Sequence, residues 1–575
     1  MLIKRWLGQT LAGLGRSWTR YTAALTLCVL AAVLSIIQIH APGTWDHAVS
    51  EWITRILATL MLGVPLMLAL RQFHETLRNE ASWIRWVSYA LGIAALALYL
   101  FFLLPIMDAA VPAMRYAALT AALWIAFICI PFLPDEGQPE TYLLGLGFRL
   151  LVTGAYSGII IGGCSAILFT LDRLLNVPVI PENYADVSVL TALLFAPAYF
   201  LAAVPEKGDA PAPYPRLFRA LLLYVVLPLL SVYTVILYVY FGKLLVTMDW
   251  PQGLVANLVL WYALIGIVVL FLLKPLTEEN QWGRFFYTWF PRLLPPSLAM
   301  LFAAIWIRIA QYGLTENRYF VIAGALWALG IAVYLIIRRR SRGIVIPVSA
   351  VLVLVLTVSG PWSAFSVSMA SQNHRLHKML TQYGMIQNGV IAATTAEVPA
   401  EDRREMYAIL EYFDSSHSLA DVAVLPAGTT LPMMAELINI PESPYYRQLR
   451  AILSPYGKGL PIDIRGYDLL IDIDRMEDET TFDLNGRALR AAYDSDTKEF
   501  TLYEGDHAVY RYDINTLAAR LPVSEQPLSP EDVTFDDNTG DMAVRYIIRR
   551  AYVYADHDQA VAFDYVYFYV LLKMK

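Results

Sequence analysis

The sequence predicts a polytopic α-helical membrane bundle of about eleven transmembrane helices, followed by a C-terminal soluble α+β domain containing an antiparallel sheet. Three observations predict it. The 575 residues are 57% apolar and only 16% charged, where soluble domains carry roughly a quarter charged residues. Apolar runs of about 20 residues, enough to cross a bilayer, recur through the first part of the chain. Charge then changes character near Gly360: residues 1–359 hold 24 Lys and Arg against 17 Asp and Glu, whereas residues 360–575 hold 19 against 32. The chain therefore reads as a multi-pass transmembrane domain over 1–359 and an acidic soluble domain over 360–575, long enough to build its own core.

The apolar runs lie near residues 21–39, 52–70, 84–104, 113–133, 143–170, 187–204, 217–241, 253–273, 293–311, 319–337 and 344–359, the last being the shortest. Pro65, Pro197, Pro228 and Pro347 fall within them. Kinks are expected there, tolerated in lipid because neighbouring helices re-satisfy the freed carbonyls. Cys28, Cys129 and Cys164 all sit in apolar runs, which makes them packing thiols and leaves the acidic domain without a disulfide framework. The basic N-terminus precedes an apolar run with no small-residue cleavage site, so a retained first helix is expected.

Basic residues near helix ends stay on the cytoplasmic side. With the N-terminus inside, the cytoplasmic segments carry 18 Lys and Arg, ending with Arg338, Arg339, Arg340 and Arg342. The opposite side carries six: Arg55, Arg115, Arg173, Lys243, Arg308 and Arg318. An odd number of spans then delivers the acidic domain to the extracytoplasmic face.

That domain opens with helical patterns, SQNHRLHKML, PAEDRREMYAILEYF with proline in the first turn, and LPMMAELI. From Tyr467 the pattern becomes strand-like: YDLLIDI, RALRAAY, EFTLYE, AVYRYDI, AVRYIIRRAYVYA and AVAFDYVYFYVLL, separated by polar turns.

Candidate chemistry is sparse. Gly154, Gly158 and Gly162 are spaced by four and align on one helical face, a pattern suited to helix packing. His374 and His377, three apart, would share a helix face and could hold a metal; an exposed amphipathic helix is the plainer reading. Asp472 and Asp474 fall on one face of a strand, like the paired acids that hold a divalent ion in some sugar transferases, although a solvated strand face explains them as well. No Walker loop, HExxH or GxSxG occurs. No cofactor is expected, and an acidic domain would repel nucleic acid.

The segment from Lys274 to Arg318 is the most distinctive of the membrane part. KPLTEENQWGRFFYTWFPRLLPP reads as an aromatic and basic loop at a headgroup interface. Arg308, Tyr312, Gly313, Leu314, Thr315, Glu316, Asn317, Arg318 and Tyr319 follow, then an apolar span with Trp327, then GPWSAFSVSMASQNHRL from Gly360. This run resembles the bacterial membrane proteins grouped as domain-of-unknown-function family 4153. The resemblance implies an integral membrane protein of the cell envelope and brings no reaction, cofactor or catalytic residue. On its own chemistry, the cluster of Arg308, Tyr312, Glu316, Asn317 and Arg318 could clamp the loop by ion pairs, grip an anionic lipid headgroup, or dock the soluble domain.

Function is a choice among three readings. The first is a non-enzymatic envelope protein whose extracytoplasmic domain binds an envelope protein or ligand. The second is a transporter or lipid-handling protein, and the third a membrane enzyme acting on a lipid-linked substrate. Beyond the lipid bilayer itself, no partner and no oligomeric state follow from the sequence.

Overall fold

The computed structural model describes residues 15–41, 47–77, 82–103, 110–133, 137–175, 177–205, 214–247, 254–338, 341–387, 389–392, 398–426, 428–438, 448–452, 454, 461–473, 479–495, 497–522, 528–539, 542–556 and 559–574. Asp474, Arg339 and Arg340 lie outside the described residues. The chain forms two compact units: residues 1–397 with 405–429, and residues 398–404 with 430–575. The helical unit thus extends past the compositional boundary at Gly360 and takes in polar segments that follow it.

Among the described residues, ten helices of the first unit are long and apolar enough to cross a membrane: α1 (Thr22–Ile39), α2 (Val49–Thr76), α3 (Trp83–Phe102), α4 (Ala110–Phe132), α5 (Pro139–Leu175), α6 (Pro181–Ala202), α7 (Arg216–Thr247), α8 (Ala256–Leu276), α9 (Gln281–Tyr312) and α10 (Glu316–Ile337). The protein is a multi-pass membrane protein. An eleventh apolar helix, α11 (Val345–Val358), has 14 residues and is about 21 Å long, short of the roughly 30 Å hydrocarbon core.

Three of the four expected proline kinks lie within continuous helix. Pro65 is inside α2. Wide π-turns at Thr191–Phe195 and Leu222–Val226 run directly up to the turns holding Pro197 and Pro228, absorbing the ring and the missing N–H. Pro347 breaks nothing, because it lies in the first turn of α11, where its N–H would have no intrahelical partner. The stretch read as an interfacial loop is largely helix: α9 starts at Gln281, where the Asn280 side chain accepts from Gly283 N at 2.8 Å, and it runs through Pro291, Pro295 and Pro296. Beside the proline-rich turns, the Leu293 carbonyl accepts from Tyr238 OH at 2.6 Å and from Ser297 Oγ at 3.0 Å, bonds that tie α7 to α9 at this level.

The main core joins α7, α8, α9 and α10 around Leu227, Val259, Ile267, Leu294 and Ala325, all fully buried. A smaller core joins the early helices around Leu25, Cys28, Leu68 and Phe127. Cys28 and Cys129 are buried and Cys164 half-buried, all as free thiols. At one end of the main bundle, Lys274 Nζ donates to the buried Glu140 carboxylate at 3.0 Å, tying the end of α8 to the start of α5. After α11 the same unit continues with α12 (Ala364–Gln382) and the short pair β1 (Ile386–Gln387) and β2 (Val390–Ile391). Helix α13 (Ala400–Ser416) contributes to this unit from Glu405 onward.

The second unit holds α14 (Leu431–Ile438) and two antiparallel sheets. One sheet runs in the order β3 (Gln448–Ile452), β10 (Met542–Asp556), β11 (Gln559–Met574) and β4 (Leu469–Asp472), with β9 (Thr534–Thr539) also on β10. The other is a meander of β5 (Glu479–Leu484), β6 (Arg487–Asp494), β7 (Glu499–Glu504) and β8 (His507–Asp513). A single core links them: Phe500 lies edge-on to Tyr546 at 6.3 Å, and Tyr493 edge-on to Phe568 at 5.2 Å. The β5–β6 turn places Asn485 at φ 54° and Gly486 at φ 82°, the mirror-image turn whose twist matches a two-residue hairpin. Gly486→Val forces a β-branched residue to positive φ, a strain of about 1–2 kcal/mol. Faster hydrogen exchange across β5 and β6 is the expected outcome, and unchanged protection there would remove the turn from the account.

Candidate functional site

The five-residue cluster singled out in the sequence sits where α9 ends and α10 begins. Gly313 stops α9 with φ 69°, a conformation natural to glycine. A side chain there would also press on Gln372 Nε2, 2.9 Å from the position of a Cβ. Thr315 is extended, and α10 opens on Glu316.

Helix α12 holds this turn from the side. Gln372 Nε2 donates to the carbonyls of Tyr312 at 3.2 Å and Leu314 at 3.0 Å, while Ser371 Oγ accepts from Leu314 N at 3.0 Å. Tyr319 OH donates to the Trp362 carbonyl at 2.5 Å. The N-terminal turn of α12 is anchored in turn by buried Phe365, whose ring lies under the Arg115 guanidinium at 4.9 Å.

Tyr312 is flanked by two cations, Arg318 at 5.6 Å and Arg375 at 5.8 Å from its ring, each attracted to the aromatic face. Arg318 donates to the carbonyls of Tyr312 and Gly313 at 3.1 and 2.5 Å. Arg375 donates to the Gln311 carbonyl at 2.5 Å and pairs with Glu405. Arg308 and Arg375 both lie near enough to Arg318 for their charges to act on it. Half-buried Arg308 makes no hydrogen bond or ion pair among the described residues.

Glu316 does not close the ion-pair clamp expected with Arg308 and Arg318. Its Oε1 instead accepts from Tyr412 OH at 2.6 Å and meets His417 Nε2 at 2.8 Å, with Tyr412 OH and His417 Nε2 themselves 2.9 Å apart. The Glu316 and His417 side chains are each only 6% exposed. Burial, reinforced by the Glu316 carboxylate, holds the Tyr412 phenol far above its ordinary range. Tyr412 thus stays a neutral donor, and the carboxylate is satisfied without an arginine. Asn317 is exposed on the first turn of α10.

The sequence reading found Arg308, Tyr312, Glu316, Asn317 and Arg318 but missed Arg375, Gln372, Tyr412 and His417. Gln372 and Arg375 lay within the SQNHRL motif. Nothing local marked Tyr412 and His417, about one hundred residues from their partner.

The other candidates stand apart from this cluster. A Cβ on Gly154, Gly158 or Gly162 would meet nothing within 4 Å among the described residues. His374 and His377 are both exposed on α12, and Thr381 Oγ1 lies 3.4 Å from His377 Nδ1. In the second unit Asp472 is on β4 with Arg549 Nη1 3.7 Å away. Among the described residues no group of three or more His, Cys, Asp or Glu comes together to hold a metal ion.

A family model described as a domain of unknown function (DUF4153) matches residues 18–388. The match includes the whole α9–α10 turn and α12, and stops before Tyr412 and His417. The chain is also similar to an uncharacterized protein of Pasteurella multocida (strain Pm70), 23% identical over 350 residues, which cover 58% of this chain and 57% of that protein. The chain therefore spans little more than half the length of that relative. No solved structure matches.

Proposed function

The chain belongs to the DUF4153 family, and on that premise we propose that it is a non-enzymatic protein of the bacterial plasma membrane that binds an anionic envelope ligand at the α9–α10 turn. In this reading the N-terminus is cytoplasmic and the turn is extracytoplasmic; α11, although shorter than the hydrocarbon core, brings the chain back to the turn's face, a return supported by the bonds from α12 to the turn, and the region after Gly360 is extracytoplasmic. The bias of basic residues, 18 against six, supports that orientation.

The observation that carries the reading is Arg308. Two guanidiniums flank Tyr312 and a third, Arg308, lies near Arg318; Arg375 has Glu405 and Arg318 has backbone carbonyls, but the Arg308 guanidinium has no partner among the described residues. A half-buried charge beside like charges is unfavourable until an anion joins it, and guanidinium forks match phosphate geometry. Backbone carbonyls of the turn hold the Arg318 and Arg375 guanidiniums in place before any ligand arrives, which reduces the ordering penalty of binding.

The test uses the full-length protein in detergent with glycerol 3-phosphate as a headgroup probe. The probe is expected to raise the melting temperature of the wild type and to raise that of Arg308→Gln distinctly less, a charged hydrogen bond being worth about 1.5–3 kcal/mol. Equal shifts in the two proteins would take the ligand away from this cluster.

A further inference from the structure

A second basic site lies among α1, α2 and α3, where a cavity of about 520 Å³ is lined by Arg20, Arg71, Arg85, Tyr89, Met67 and Ile93, among others. A cation stands at the same end of each helix, with Arg20 just ahead of α1, and an apolar side chain lies deeper in. Arg71 is one turn from Met67 on α2; Arg85 is one turn from Tyr89 and two from Ile93 on α3; Arg20 precedes Ala24 of α1 across the bend at Tyr21. From Arg85 to Ile93 the cavity wall descends about 12 Å along α3. Trp86 and Ile93 are 77% and 60% exposed, and an exposed tryptophan beside cations marks a headgroup level.

The charges are unbalanced. Arg20 is fully engaged, donating to both Glu75 oxygens at 3.0 and 2.7 Å and to the carbonyls of Val204 and Pro205. Arg71 shares the same carboxylate through Nε at 3.0 Å, leaving its terminal nitrogens for another acceptor. The Arg85 guanidinium has no hydrogen bond or ion pair among the described residues. Among those residues three guanidiniums thus stand with one carboxylate around a cavity whose floor is apolar.

We infer that this cavity is a binding site for one anionic phospholipid. The phosphate sits between Arg71 and Arg85, and the upper acyl chain lies along Met67, Ala24 and Ile93. A free inorganic anion would use only the arginines; the ordered descent from cation to apolar wall on three helices matches a molecule that is charged at one end and aliphatic at the other. The volume falls in the range of ligand pockets, about 300–1,000 Å³, and accommodates a headgroup with part of one chain. The site is independent of Arg308.

The test is native mass spectrometry of the full-length protein released from nanodiscs containing equal phosphatidylglycerol and phosphatidylcholine. The wild type should retain one phosphatidylglycerol in preference to phosphatidylcholine, and Arg85→Gln should lower that preference about tenfold, the loss of one charge-assisted contact. The tenfold effect of Arg85→Gln should be the same in the wild type and in an Arg308→Gln background, so failure here and failure of the outer site are separable. Arg85 is exposed, and a melting temperature for Arg85→Gln equal to that of the wild type in phosphatidylcholine alone checks that folding is intact. Retention of phosphatidylcholine as strongly as phosphatidylglycerol, full preference in Arg85→Gln, or displacement of the lipid by millimolar inorganic phosphate would each overturn the inference.

Discussion

Gly266→Val is expected to prevent the main helical core from closing. A Cβ at Gly266 of α8 would overlap the ring of Phe290 on α9. The ring has nowhere to go: it is stacked on Phe286 at 4.7 Å and packed against Tyr262 at 5.3 Å, and all three rings are at most 5% exposed. Backbone retreat is opposed by the hydrogen bonds that Tyr238 and Ser297 make to the Leu293 carbonyl, one turn further along α9. Overpacking at such a contact costs about 3 kcal/mol or more. Size-exclusion chromatography in detergent should show aggregated Gly266→Val protein, and pairing Gly266→Ala with Phe290→Leu should restore a monodisperse peak. A Gly266→Val protein that melts with the wild type would mean that α8 and α9 do not meet at this contact.

The second large effect belongs to Glu316→Ala. Removing the carboxylate takes the shared acceptor from the half-buried Tyr412 phenol and the buried His417 imidazole and leaves them only their bond to each other, a loss of about 1–3 kcal/mol. The effect should be local, because Tyr412 and His417 lie on the segment 405–429 that packs with the helical unit. That segment has further ties: Asn373 of α12 donates to the Asp421 carbonyl at 2.9 Å and accepts from Ala423 N at 3.3 Å. Limited proteolysis of the full chain should therefore cut within 405–429 much earlier in Glu316→Ala, with Glu316→Gln intermediate because it keeps an acceptor. No gain in cleavage would assign the anchoring to Asn373 and its neighbours instead.

Much of the fold was legible because lipid leaves few choices. A run such as 319–337 has nowhere to satisfy its backbone except within its own helix, and α10 spans Glu316–Ile337 accordingly. Strands rich in Val, Tyr and Phe were equally clear, and β4, β6, β7, β8, β10 and β11 fall where the pattern placed them. β3, β5 and β9 were missed: ETTFDL of β5 and TFDDNT of β9 are too polar to announce a strand, and their place comes from pairing with β6 and β10. The Asn485-Gly486 turn was the available signal for β5.

The beginning of α9 reads as a loop because Pro291, Pro295 and Pro296 look like breakers, while the packing that holds the helix together through them, against Tyr238 and Tyr262, is distant in sequence. The site divides in the same way. Arg308 through Arg318 form one short turn and could be read together; the residues that answer them, Gln372, Arg375, Tyr412 and His417, arrive through tertiary packing. The glycine stripe of α5 shows the converse, a clear local pattern with no partner among the described residues.

The central claim, that the α9–α10 turn presents its arginines on the extracytoplasmic face, is tested most directly at Asn317, which is exposed on that turn. In a chain with Cys28, Cys129 and Cys164 replaced by alanine, Asn317→Cys would be labelled with a membrane-impermeant maleimide in intact spheroplasts. The account predicts full labelling before lysis. Labelling only after the membrane is opened would place the turn in the cytoplasm and contradict it.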